Sequence, residues 1–107
     1  MTRTSALWAR LSAGEVLISD GATGTLLQGM GTPQGQSPEV WVIDQPDQIR
    51  DLHRGYIEAG SNLILTCTFG GTHFRLSGHG LADRVVEVNR RAAELARAEA
   101  GSDVFVG

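Results

Sequence analysis

Three short apolar runs, which begin more than forty residues apart, limit the folds open to this chain. They lie at 16–19, 63–67 and 104–106, and each has the length and composition of a buried β-strand. Both intervals between them contain apolar residues at helical spacing. This β-α-β-α-β alternation predicts an α/β fold with a parallel sheet, right-handed crossovers and the two helices on one face.

The helical patterns have clear limits. One helix is predicted at about 46–59, ended by Gly60 in a left-handed conformation, with an apolar face formed by Ile49, Leu52, Tyr56 and Ala59. His53 is expected to point outward from it. A second helix is predicted at about 81–100, with a stripe of Leu81, Val85, Val88, Ala92 and Leu95. A shorter helix is predicted within 2–14.

Small polar residues stand at the ends of the first two predicted strands, where ligands bind in parallel α/β sheets. Asp20, Gly21 and Ala22 follow the first strand, and Thr66 and Phe69 belong to the tip of the second. Glycine lets backbone N–H groups approach a carboxylate or phosphate, and aspartate can accept from an ammonium group. A tight turn or a capped strand end would need the same residue types, so both interpretations stay open.

The single cysteine and the three histidines do not form a metal-binding motif. Cys67 alternates with two threonines and faces the other way, so it is interpreted as a buried, unreactive side chain. His73 and His79 lie in a glycine-rich loop without a cysteine or carboxylate at ligand spacing. We therefore assign no metal ligand. Asn89 is interpreted as a hydrogen-bonding partner of a loop backbone.

Composition excludes several functions. The formal net charge of −3 gives no electrostatic reason to expect nucleic acid or an anionic membrane as a partner. All nine basic residues are arginines, which excludes a lysine Schiff base or a P-loop lysine within this chain. No apolar run reaches the length of a signal peptide core or a membrane span. A cytoplasmic protein is predicted.

Five segments of the sequence match one protein family in order and register. They are DGATGT at 20–25, PEVW at 38–41, LHRGYIEAGSN at 52–62, TCTF at 66–69 and NRRAAELAR at 89–97. Together they resemble the N-terminal part of the homocysteine S-methyltransferase domain. This family includes the homocysteine-binding module of methionine synthase and the betaine–homocysteine methyltransferases.

The resemblance implies a (β/α)8 barrel in which zinc activates the thiol of homocysteine for attack on a methyl donor such as betaine or a folate. Residues 1–107 would form its N-terminal β-α-β-α-β portion, an incomplete barrel. It implies that the backbone at Asp20, Gly21 and Ala22, together with Thr66, holds the amino and carboxylate groups of homocysteine, and that Phe69 lines the pocket. The zinc ligands of the family are three cysteines on later strands. Cys67 does not match them.

Other interpretations remain open beside the enzyme. The chain could be completed by a second chain that supplies the rest of the barrel. It could instead be a non-catalytic remnant or an interaction module that pairs through its third strand, which would present an apolar edge. A small doubly wound phosphate-binding domain is disfavoured, because neither the P-loop nor the dinucleotide fingerprint is present.

Overall fold

The computed structural model describes residues 2–107, and this part of the chain contains six α-helices and two short strands. In chain order they are α1 (Arg3–Ser12), α2 (Gly24–Gly29), α3 (Pro38–Asp44), α4 (Pro46–Glu58), β1 (Leu63–Ile64), α5 (His73–Ser77), α6 (Val85–Ala100) and β2 (Phe105–Val106). A 3₁₀ turn at Ala82–Arg84 precedes α6. None of the helices in this range is long and apolar enough to cross a membrane.

The sheet is parallel, as predicted. Leu63 of β1 lies opposite Phe105 of β2. On the other side of β1, Ser19 forms a single parallel bridge with Leu63, and the amide of Asp20 donates to the carbonyl of Leu63 at 2.9 Å. Three extended segments therefore lie side by side in the order of the sequence, and they run in the same direction.

The strands are shorter than predicted, and the prediction that the first strand is buried is wrong. Only Ser19 of the segment 16–19 bridges to a neighbour, while Val16 and Ile18 are 85% and 58% exposed. A strand requires a partner, and within residues 2–107 this segment meets a neighbouring strand on one side only. The second strand ends at Ile64 because the backbone turns soon afterwards, where Cys67 takes a φ of 61°.

Both long helices form where the spacing placed them. The helix predicted at 46–59 is α4, and the one predicted at 81–100 is the 3₁₀ turn followed by α6. Gly60 has a φ of 110°, which confirms the left-handed end of α4. Ala59 is exposed because α4 ends one residue before it. The predicted N-terminal helix is α1, and none of its ten residues is buried.

The core lies between α4, α6 and the sheet. Ile49 and Leu52 of α4 pack against Val88 and Ala92 of α6, in a cluster that also contains Leu27, Trp41, Val42, Cys67 and Leu76. A second cluster surrounds Ile64, which is fully buried, and its other members are Ala96, Ala100 and Val104, with Tyr56 and Ile57 packed against them. Residues of both helices therefore meet β1 on the side of Ile64, and the prediction of one shared face is confirmed.

The outward orientation expected for His53 is wrong, because this side chain is only 1% exposed. The helix α4 contacts α2, α3, α6 and β1, so elements cover more than one of its sides. Its buried stripe is wider than that of a helix packed on a single neighbour, and His53 falls within it beside Leu52.

Candidate ligand-binding site

A cavity of about 730 Å³ opens where the chain leaves β1 and β2 at their carboxyl ends. Its volume is in the range of small-molecule sites, and its position is the one at which parallel sheets bind ligands. One wall is formed by residues 65–70, which follow β1 and are called the tip below. The other walls come from the start of α2, the loop before α3 and the turn around α5. The lining residues include Glu39, Thr66, Thr68, Phe69, Arg75 and His79.

Two of the predicted site residues, Thr66 and Phe69, line this cavity. The hydroxyl oxygens of Thr66 and Thr68 lie 2.7 Å apart, within hydrogen-bonding distance. The amide of Thr66 donates to the carbonyl of Gly107 at 3.0 Å, which fixes the tip against the residue that follows β2. Phe69 is 91% exposed, so its ring is available to a ligand.

The other three predicted residues lie beside the tip, outside the lining of the cavity within residues 2–107. The carboxylate oxygen Oδ2 of Asp20 accepts from the amide of Leu65 at 3.0 Å, so Asp20 contacts the residue next to Thr66. The carbonyl of Ala22 accepts from the Tyr56 hydroxyl at 2.6 Å. A Cβ at Gly21 would lie 3.1 Å from the same hydroxyl, so this turn packs closely on α4.

Glu39 is a site residue that the sequence analysis did not identify. It lies in the first turn of α3 and is 3% exposed, yet it lines the cavity. One carboxylate oxygen accepts from the amide of Gly70 at 2.7 Å, and the other accepts from the hydroxyl of Ser37. A Cβ at Gly70 would come within 2.9 Å of this carboxylate, so a side chain there would displace it. The sequence offered one signal for a buried Glu39, which is its position directly before the apolar run at 40–43.

Cys67 is 7% exposed, and the prediction of a buried side chain is confirmed. Burial, and to a smaller extent the nearby charge of Glu39, raises the pKa of its thiol to about 12. A raised pKa disfavours the thiolate form, which is the nucleophile, at neutral pH. In the part of the chain described here, no group of three or more His, Cys, Asp or Glu side chains could hold a metal. These residues therefore do not fit the zinc that the family resemblance implies.

Asn89 fixes the far side of the tip. Its amide nitrogen donates to the carbonyl of Gly71 at 2.8 Å and to that of Val85 at 2.8 Å. The predicted contact with a loop backbone is confirmed. Two helices thus hold successive residues of one loop, since Glu39 of α3 binds Gly70 and Asn89 of α6 binds Gly71.

These features define an α/β protein with a parallel sheet and a ligand-sized cavity at the carboxyl ends of its strands. The homocysteine S-methyltransferase family matches residues 17–106, and the chain belongs to that family. The resemblance carried by the five segments is confirmed.

Curated relatives agree with this assignment. Betaine–homocysteine S-methyltransferase 1 of Rattus norvegicus is 34% identical over 106 residues, which cover 92% of this chain and 26% of the relative. S-methylmethionine–homocysteine S-methyltransferase BHMT2 of Pongo abelii is 35% identical over 99 residues, which cover 86% of this chain and 24% of the relative. The chain thus spans about a quarter of the length of these relatives.

Proposed function

We propose that this chain forms part of the amino-acid pocket of a homocysteine S-methyltransferase, a cytoplasmic enzyme that transfers a methyl group to the thiol of homocysteine. Residues 1–107 would be the N-terminal part of a (β/α)8 barrel. The observation that carries the proposal is the contact between the two predicted tips, in which Asp20 accepts from the amide next to Thr66. That contact joins Asp20, in the family motif at 20–25, to Leu65, which directly precedes the motif at 66–69 and lines the cavity.

In this proposal each predicted residue has one role. The Thr66 hydroxyl and the Gly21 amide donate to the carboxylate of homocysteine, and Asp20 accepts from its ammonium group. Ala22 completes the turn that presents the Gly21 amide. The Phe69 ring packs on the methylene groups. Methyl transfer needs a thiolate, and we assign its activation to no residue of this chain.

The methyl donor belongs to a recognisable chemical class in the relatives. Their names give betaine and S-methylmethionine, which are a quaternary ammonium and a sulfonium compound. Both carry a positive charge on the atom that bears the methyl group, and both carry a carboxylate. We propose a zwitterionic donor of this class here.

The homocysteine site can be tested by titrating the ¹⁵N-labelled chain with L-homocysteine and following amide chemical shifts. We expect a dissociation constant in the millimolar range, about −4 kcal/mol, with shifts at Gly21, Leu65 and Thr66. Thr66→Val removes one hydroxyl donor at nearly constant volume and should weaken binding about fivefold.

Thr4→Val is the matched control, because Thr4 is an exposed residue of α1 and does not line the cavity. It should bind homocysteine like the parent chain. Equal affinity of Thr66→Val and the parent, or shifts confined to residues away from the two tips, would contradict the homocysteine site.

The second candidate is an interaction module without catalytic function. The exposed apolar side chains of Val16 and Ile18 favour it, since large apolar groups in contact with water often mark a protein interface. This candidate predicts concentration-dependent association in sedimentation velocity and no effect of homocysteine. The methyltransferase proposal predicts the site-specific shifts described above.

A further inference from the structure

The tip contains a strained backbone position. Cys67 takes a φ of 61°, and every other residue with a positive φ within residues 2–107 is a glycine. This left-handed conformation is disfavoured for a residue that carries a Cβ, and it persists only where the surroundings hold it. Cys67 lies between Thr66 and Phe69 in the chain. The strain therefore falls between the two predicted site residues that line the cavity.

The half of the tip before Cys67 is fixed by two backbone amides. The amide of Leu65 donates to the carboxylate of Asp20 at 3.0 Å. The amide of Thr66 donates to the carbonyl of Gly107, also at 3.0 Å. Both acceptors directly follow extended segments that pair with β1. The parallel sheet itself therefore holds this half of the tip.

The half after Cys67 depends on side chains from two helices. The Gly70 amide donates to the carboxylate of Glu39 at 2.7 Å. The Gly71 carbonyl accepts from the side chain of Asn89 at 2.8 Å. Both glycines are buried, and neither has a positive φ. They make room for the two side chains, because a Cβ would lie 2.9 Å from the carboxylate or 2.7 Å from the Asn89 oxygen.

Glu39 makes the stronger of these two contacts. Its side chain is 3% exposed, and an amide that donates to a carboxylate forms a stronger hydrogen bond than one between two neutral groups. The other carboxylate oxygen accepts from the hydroxyl of Ser37, so both oxygens of the group are held. Asn89 divides its donors between Gly71 and the Val85 carbonyl of its own helix.

We propose that Glu39 is a positioning residue, whose contact with the Gly70 amide holds the tip in its strained conformation. This contact is called the clamp below. Relaxation of Cys67 to a negative φ would change the direction of the chain between Thr66 and Phe69, and the clamp opposes it. The clamp rests on the contacts and the backbone angle alone, whereas its role in a homocysteine pocket rests on the proposed function.

The test is amide hydrogen exchange of the full 107-residue chain without ligand, measured by NMR at Thr66. The acceptor of this amide, the Gly107 carbonyl, is the same in every variant. Glu39→Ala should raise the exchange rate of Thr66 about tenfold, by removing the clamp. Glu39→Gln keeps an oxygen acceptor for Gly70 and should stay within about threefold of the parent. The amides of α6 report global unfolding and should change less than Thr66.

Two substitutions of Cys67 separate backbone strain from packing. Cys67→Gly and Cys67→Ala both remove the thiol, and they differ only in the Cβ that makes the left-handed conformation unfavourable. When Cys67→Gly is combined with Glu39→Ala, the exchange rate of Thr66 should return to within about threefold of the parent. The combination of Cys67→Ala with Glu39→Ala should keep the raised rate.

A second variant removes the same contact if Glu39→Ala does not fold. In Gly70→Ala, the added Cβ would lie 2.9 Å from the carboxylate and displace it, so the exchange rate of Thr66 should again rise about tenfold. Gly78→Ala is the matched control, because its Cβ would meet the carbonyl of Arg75 at an ordinary distance of 3.6 Å. It should leave the exchange rate of Thr66 at the parent value.

The clamp is wrong if removal of the contact leaves the exchange rate of Thr66 unchanged or raises that of α6 equally. It is also wrong if Cys67→Gly and Cys67→Ala act alike. Homocysteine titration is a separate measurement, in which Glu39→Ala should weaken binding about fivefold. A chain that shows the exchange effects and binds no homocysteine would remove the proposed function and keep the clamp. Homocysteine binding that depends on Thr66, with no exchange effect of Glu39→Ala, would do the reverse.

Discussion

Replacing Ile64 by alanine is expected to lower the free energy of unfolding by about 3–4 kcal/mol, the cost of truncating a fully buried aliphatic side chain. Ile64 has no exposed surface and lies where the sheet meets both long helices, in contact with the cluster of Ala96, Ala100 and Val104. The small alanines of α6 cannot fill the space left behind. Urea denaturation followed by circular dichroism at 25 °C measures the change.

Leu65→Ala is the matched control, since Leu65 is the next residue and is 53% exposed. Its truncation leaves no enclosed cavity and should cost less than about 1 kcal/mol. A similar loss for Leu65→Ala and Ile64→Ala would contradict the placement of the core on one side of β1.

A second large effect is expected at His53, whose substitution by leucine should raise the free energy of unfolding by about 1–3 kcal/mol at pH 8. The imidazole is buried, and neither ring nitrogen has a hydrogen-bond partner among the described residues. Leucine has a similar volume and no polar atoms to desolvate. Thermal or urea unfolding of the two chains measures the difference.

The increase in the free energy of unfolding caused by His53→Leu should be larger at acidic pH than at pH 8. Burial lowers the pKa of His53 below its ordinary value of 6.5, and the charges of Asp20 and Glu99 offset this only in part. The unfolded chain then binds a proton more readily than the folded one. Stability is therefore full above pH 6.5 and falls as the pH drops from 6.5 through the lower folded pKa.

His53→Leu should lack this component of the acid destabilisation. His73→Leu serves as the control, because His73 is exposed and its replacement should leave the free energy of unfolding close to that of the parent at pH 8. If the parent and His53→Leu lost the same stability between pH 7 and pH 5, His53 would not be a buried neutral side chain.

The helices of this protein were predictable because their signals are local. The residues that define α4 and α6 repeat within each helix, so spacing alone predicts which side is buried. The strand at 16–19 was not predictable, since an extended segment depends on neighbours that the local sequence does not specify. The burial of His53 escaped prediction for a related reason, because contacts with α2 and β1 widen the covered side of α4.

The residues of the candidate site also differ in whether the local sequence could predict them. Thr66 and Phe69 were predicted because they follow a strand directly, and the carboxyl end of a parallel strand is a fixed place in the fold. Glu39 was not, because its partner Gly70 is 31 residues away in the chain. A buried carboxylate between apolar residues can be interpreted only when the backbone amide that it accepts from is known.

The parallel order of the three extended segments has a consequence for how this chain folds. Ser19 pairs with Leu63, and Leu63 pairs with Phe105, so every strand contact joins residues more than forty positions apart. No hairpin can start the sheet, and closing loops of this length costs entropy before any strand contact compensates for it. The intervening helices shorten those loops when they form. We infer that α4 and α6 dock first and that the strands pair last, so that the edge of the sheet beside the cavity is the final part of the molecule to become ordered.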